Sequence, residues 1–253
     1  MVFINGGEFL MGADNNQAMR DEYPQHKVIV KSFFMDETEV TNADFKKFVD
    51  STGYLTTAER TIDWNDLKQY LPPNTPKPHD SLLAPSSLVF FESKTKNLND
   101  FSQWWRLQKE VNWKQPYGKK STIDTILDHP VIHVSWDDAV AYCKWKGRRL
   151  PTEAEYEYAM RSGNSNTTYT WGNQSIDTGE QKANVWQGDF PSNNMVLDDF
   201  YYTSPVKSFG DNDFGLYDIS GNVWEWCSDR FGLVDVGNEV WIQKDISLCP
   251  GIY

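Results

Sequence analysis

The sequence predicts an α+β domain with little regular secondary structure, and three observations carry that reading. Short apolar runs bounded by glycine or charge open the chain, as short strands do. Only three segments combine helical spacing with a capping residue. The rest, rich in Pro, Gly, Asn and Asp, follows no period and reads as loop. At 253 residues the chain is long enough to bury a sizeable core, and no flexible linker divides it.

The elements follow in order. Gly6-Gly7 followed by Glu8, Phe9, Leu10 and Met11-Gly12 reads as a short strand bounded by glycines, and HKVIVKSFFMDETEV reads as a second, alternating one. Thr41 then precedes NADFKKFVDSTG, where Ala43, Phe45, Phe48 and Val49 fall on one helical face and Gly53 closes the end. From Tyr54 to about Lys120, Pro72, Pro73, Pro76, Pro78 and Pro85 break any pattern, so this stretch is predicted as long loops. A strand over Val131–Val134 leads into a helix capped by Ser135, with Asp138 completing the capping box, and Gly147 ends it. Pro151 and Thr152 start another helix, with Glu155 in the box position, that runs to about Arg161. Beyond Asn164 the chain is again mostly loop, so its backbone groups need side chains, water or ions as partners.

Composition excludes some classes of function. Lys and Arg total 24 against 36 Asp and Glu, and a net charge of -12 gives no basic stripe for nucleic acid. No run approaches the roughly 20 apolar residues of a membrane span. The opening MVFINGG shows no charged-then-apolar leader, so the chain as given reads as soluble, with its localisation open. Cys143, Cys227 and Cys249 are too few and too scattered for a disulfide scaffold or a CxxC zinc site. His129 and His133, spaced HPVIH, read as hydrogen-bonded structural histidines on a strand.

Two loops concentrate oxygen donors. In FGLYDISGNVWEW, Asp218, Glu225 and the carbonyls around Gly221 and Val223 fall within one tight turn, a hard-oxygen set that suits calcium. In ANVWQGDFPSNNMVLDDF, Asn184 and Asp198 meet the carbonyls of Val185 and Phe200. Asx side chains that cap turns account for the same spacing, so the two readings stand side by side.

The ordered set GGEFLMG, FFMDETEVTNADFKKFV, HPVIHVSWDDAVAYCKWKGRRLPTEAEYEYAMRSG, YTWGN, ANVWQGDFP and FGLYDISGNVWEWCSD resembles the formylglycine-generating enzymes, or sulfatase-modifying factors. It covers residues 1 to about 230, and residues 231–253 read as a divergent tail. SLVFFES and QWWRLQKEVNWKQPYG resemble the sulfatase-modifying branch. The resemblance implies a formylglycine-generating-enzyme-like fold, related to the C-type-lectin-like fold and braced by two calcium ions. One ion would take Asn184, Val185, Asp198 and Phe200; the other would take Asp218, Ile219, Gly221, Val223 and Glu225. Asp218 stands where the family often has Asn.

The same resemblance implies an oxidation of cysteine to formylglycine in a Cys-x-Pro-x-Arg segment of an unfolded sulfatase. The family uses oxygen and a copper(I) ion held by two thiolates, soft ligands that suit that ion. Those thiolates lie in a segment resembling Gly-Gly-Ser-aromatic-x-Cys, which these residues do not contain, so no catalytic residue is assigned and the chain as given is expected to be inactive. Asp63 and Trp104 would face the substrate arginine, and Trp224 the catalytic pocket. A loop-capping role for Asp63 and packing roles for both tryptophans compete with those assignments. The alternative is a calcium-braced binding module of the same fold without catalysis.

Overall fold

A computed structural model describes all residues except 16, 17, 19–21, 96, 165, 166, 177, 230–247 and 250–253. The chain is mixed α/β with little regular structure, and every described sheet has only two strands. It divides into two compact units, one made of residues 1–39, 147–187 and 195–253, the other of residues 40–146 and 188–194. Among the described residues no helix is long and apolar enough to cross a membrane.

In the first unit, β1 (Val2–Ile4) pairs antiparallel with β4 (Phe33–Met35), and β2 (Gly7–Met11) with β3 (His26–Val30). The single strand expected over HKVIVKSFFM is therefore two strands, broken at Lys31 and Ser32, each with its own partner. Gly6 sits at this crossing because a Cβ there would lie 2.3 Å from the Val30 carbonyl oxygen. Ile4, Phe9 and Val30 project into one core with Tyr156, Tyr158, Ala159, Leu216, Ile219 and Cys227. The three tyrosine and alanine positions come from helix α4 (Glu153–Met160), whose Thr152 and Glu155 form the expected capping box. Near the other end, β7 (Glu225–Trp226) pairs with β8 (Leu248–Cys249).

In the second unit, α1 (Asn42–Thr52) begins at Thr41, whose hydroxyl accepts from Asp44 N–H, and stops at left-handed Gly53. Helix α3 (Trp136–Trp145) carries the Ser135–Asp138 box. Between these two helices lie Phe45, Phe48, Trp113, Ile123 and Tyr142, with aromatic ring centroids 5.2–5.9 Å apart in mostly edge-to-face pairs. Residues 54–120 are less irregular than expected. They hold a one-turn helix, α2 (Trp64–Leu67), and a hairpin of β5 (Ser86–Phe90) with β6 (Trp105–Lys109).

The strand expected over Val131–Val134 does not form; only an isolated bridge joins Thr41 to Pro130. His133 explains the break, because its φ of 61° turns the chain out of an extended path. Its ring is held from both sides. Nε2 lies 2.8 Å from the Pro116 carbonyl, which only accepts, so Nε2 carries the proton and Nδ1 accepts from the Ser87 hydroxyl at 2.8 Å. Burial lowers the histidine's pKa below its ordinary value, keeping it neutral. The structural role expected for His133 holds, although not on a strand.

Candidate functional site

The predicted ligand residues of both oxygen-rich loops belong to the first unit, and Asn222 ties them together. The Asn222 N–H donates to the Asn184 carbonyl at 2.8 Å, and the Asn184 amide nitrogen donates to the Asn222 side-chain oxygen at 3.2 Å. Gly221, at φ 87°, makes that approach possible, since a Cβ would fall 2.5 Å from the Asn184 carbonyl oxygen.

The first set, Asn184, Val185, Asp198 and Phe200, is drawn together by a buried carboxylate. Asp198 accepts from Val185 N–H at 3.0 Å, from the Gln187 amide at 2.8 Å and from Phe200 N–H at 3.0 Å. This carboxylate is satisfied by donors, so its buried oxygens alone do not call for a cation. Asn184 does have an oxygen directed away from donors. Its Nδ2 donates at 2.8 Å to the Tyr202 carbonyl, an acceptor only, which fixes the amide's orientation and leaves Oδ1 at the other end.

The second set is different in kind. Asp218, at φ 51°, is buried; one oxygen accepts from Lys207 N–H, while Oδ1 is buried with no hydrogen-bond partner. Glu225 accepts from the Tyr156 hydroxyl at 3.0 Å, and that hydroxyl lies equally close to the Ile219 carbonyl, so Ile219 and Glu225 share one neighbour. A third acid joins them. Glu39 is buried, takes an N–H from Asn222 Nδ2 at 2.9 Å on Oε1, and leaves Oε2 without a partner.

Electrostatics reports the same crowding. Burial, then repulsion from Glu225 and Asp218, holds Glu39 well above the usual carboxylate range. Part of the Glu225 residue surface remains accessible, yet its carboxyl end is desolvated; burial raises its pKa to about 7 against the Tyr156 hydrogen bond, with Asp218 adding to the rise. Burial also raises Asp218, against two backbone donors. Among the described residues no Lys or Arg forms an ion pair with any of the three. Glu39, Asp218 and Glu225 repel one another, and one oxygen each of Glu39 and Asp218 has no hydrogen-bond partner, a shortage of positive charge that a hard cation would relieve.

Among the described residues no group of three or more His, Cys, Asp or Glu side chains is placed to hold a metal ion, so Glu39, Asp218 and Glu225 do not form a metal site by their side chains alone. The sequence-derived set relies on main-chain oxygens of Ile219, Gly221 and Val223 beside its two carboxylates, so the two observations address different shells. Sequence reasoning missed Glu39. Its one signal was an acidic residue just before the Thr41 cap with no helix role to explain it.

The remaining assigned residues fall in packing or capping positions. In the second unit Asp63 caps α2, accepting from Asn65 N–H at 2.7 Å. Trp104 is 2% exposed and packs edge-on to Phe101 and Phe190. In the first unit Trp224 is 44% exposed, next to Glu225. Cys143 packs against the aromatic core of the second unit, and Cys227 is fully buried in the core of the first; neither forms a disulfide. These packing positions do not fit a two-thiolate copper(I) site, and no copper chemistry is derived from them.

A loop-built mixed α/β domain, with two oxygen-rich loops clasped at Asn184 and Asn222, defines the class of protein. The chain matches the FGE-sulfatase family, described as sulfatase-modifying factor enzyme 1-like domain, over residues 1–248, and it belongs to that family. It is 44% identical to a formylglycine-generating enzyme of Bos taurus over 90% of this chain and 57% of that protein. It thus spans a little over half the length of that relative. It is also 40% identical to an inactive C-alpha-formylglycine-generating enzyme 2 of Mus musculus, over 91% of this chain and 69% of that one. The fold resembles PvdO from Pseudomonas aeruginosa, with TM-score 0.56 and 22% identity over 90% of this chain and 69% of the other.

Proposed function

We propose that this chain is a calcium-braced domain of the formylglycine-generating type that engages an unfolded sulfatase segment bearing Cys-x-Pro-x-Arg. The family match through residue 248 supports the substrate class. The unpartnered oxygens of Glu39 and Asp218 and the repulsion among Glu39, Asp218 and Glu225 support the cation, because a divalent charge would relieve both. Glu39 lies beside the second ion's ligand set, close enough to be repelled by Glu225 and Asp218. Calcium, when bound, supplies charge neutralisation and loop order, while Tyr156 and Asn222 orient the ligands.

Catalysis in this family would require oxygen and thiolate-bound copper(I), and these 253 residues contain no Gly-Gly-Ser-aromatic-x-Cys segment. A second reading therefore has its own support: a binding module that takes the segment without oxidising it, in line with the likeness to an inactive relative.

The two readings separate in one experiment. A fluorescent Cys-x-Pro-x-Arg peptide is incubated with the protein, calcium, copper(I) and oxygen, with anisotropy reporting binding and mass spectrometry reporting conversion. Binding without conversion is the expected result. Formylglycine product would restore the oxidase reading for this chain, and absence of saturable binding would overturn the substrate assignment altogether.

A further inference from the structure

Strand β6 presents an open edge in the second unit. Its partner β5 lies against the body of that unit, where the Ser87 hydroxyl bonds His133 and Phe90 packs 5.9 Å from Phe190. On β6, Trp105, Arg106, Leu107 and Lys109 are all exposed, Leu107 by 49%. The register shows which way the backbone points. Phe91 N–H donates to the Trp104 carbonyl at 2.8 Å and Glu110 N–H to the Pro85 carbonyl at 3.1 Å, so hydrogen-bonded pairs fall at every second position, which within β6 means Arg106 and Gln108. Trp105, Leu107 and Lys109 therefore turn their N–H and C=O groups away from β5, and among the described residues no other backbone group takes them up.

Charge decides what this edge accepts. Between Ser86 and Lys120 seven Lys and Arg stand against three acids, in a chain whose net charge is -12. Lys114 and Lys119 pair with Glu59 and Glu110, whereas Arg106, over the Phe91 ring at 4.9 Å, and Lys109 form no ion pair among the described residues. A second copy would bring its own Arg106 and Lys109 to the same edge, and like charges across a strand pair are destabilising. An anionic membrane would meet the cations but offers the strand no peptide ladder.

We propose that β6 is a docking edge for an extended, acidic segment of a partner protein, which adds as a third strand. Antiparallel addition makes the stronger ladder. Opposite Lys109, Gln108, Leu107, Arg106 and Trp105 in turn, the segment reads acid, any residue, apolar, acid, apolar. Its acids meet Lys109 and Arg106, and its apolar side chains extend the face on which Leu88 and Leu107 lie exposed. This site is independent of the calcium and Cys-x-Pro-x-Arg readings above.

The test is anisotropy of a fluorescent peptide with the core Glu-Thr-Val-Glu-Tyr, titrated with the wild-type protein at low salt. Saturable binding is expected, weakened at least about tenfold when both acids are replaced by lysine. That lysine peptide should bind the double variant Arg106→Glu, Lys109→Glu instead. Methylating the valine amide nitrogen, which faces β6, should abolish binding; methylating the threonine nitrogen, which faces away, should leave it. Leu107→Pro removes an outward N–H without touching the hairpin's own bonds and should also abolish binding. Circular dichroism checks that this variant folds, and if it does not, the methylated peptides decide. Equal binding by the valine-methylated peptide would show charge attraction without strand addition and overturn the proposal. Absence of saturable binding overturns it as well, whether the edge is then found in dimers by sedimentation or on phosphatidylserine vesicles.

Discussion

Asp138 in the second unit and Asp218 in the first are both buried acids, and their surroundings could hardly differ more. Asp138 is 0% exposed and accepts from the Tyr54 hydroxyl, from Thr57 N–H and from Ser135 N–H, at 2.8–3.2 Å. Each lone pair finds a hydrogen, and the carboxylate pins the 54–57 loop to the start of α3. Asp218 keeps one oxygen unpartnered and shares its surroundings with Glu39 and Glu225. Asp138 is buried by surrounding it with donors, whereas Asp218 keeps an oxygen that no donor reaches, which the proposed cation would fill.

The largest expected effect tests the donor-satisfied acid. Asp138→Ala strands two N–H groups and a hydroxyl, each worth about 1–3 kcal/mol when buried and unpaired, so urea denaturation should show a loss of roughly 3 kcal/mol or more. A loss under about 1 kcal/mol would mean that water replaces the carboxylate, and the contrast would fail.

The acids of the proposed cation site should show the opposite sign. In metal-free buffer Glu225→Gln removes a penalty, so the variant should be more stable than wild type near pH 8. The folded pKa of Glu225, raised to about 7, means that the folded state holds a proton the unfolded state has released. Stability from this group is full below the unfolded carboxylate pKa and falls as pH rises through about 7. His133, whose protonation burial disfavours, slopes the other way in part of the same window, so the wild type minus Glu225→Gln difference is the quantity to plot. Calcium at a hundred times its Kd should restore about 2.7 kcal/mol to the wild type and much less to the variant. A metal-free difference that does not change between pH 5 and pH 8 would sink the assignment.

The smallest effect concerns an acid near the surface. Glu155 pairs with Arg149 and accepts from Thr152 N–H at 2.8 Å, but Arg149 is 62% exposed. Glu155→Gln keeps an acceptor for the cap, so its cost should stay below about 1 kcal/mol. A cost rivalling that of Asp138→Ala would show that charge, rather than burial, governs all three.

Local signals were legible in the sequence because their physics is local. Thr41, Ser135 and Thr152 announce helices through residues three positions away, and Gly53 ends one through its own φ. What escaped depended on distant partners. The β5–β6 hairpin joins strands separated by residues 91–104 with no tight turn to mark it, and the strand expected at Val131–Val134 is broken by contacts of His133 with Ser87 and Pro116. Most of the second oxygen-rich loop was readable from one short segment, whereas Glu39 enters it from the opposite end of the sequence. The tail expectation for residues 231–253 lies mostly outside the described residues.

Because every described sheet is a two-stranded ribbon, each described strand is an edge, with one row of its peptide groups unpaired with another strand. Insertions and deletions, which most folds absorb in their connections, would here strip the ribbons of their flanking support. The connections of this protein should therefore tolerate length changes poorly, and a library of single-residue deletions would find its sensitive positions there as often as in the helices.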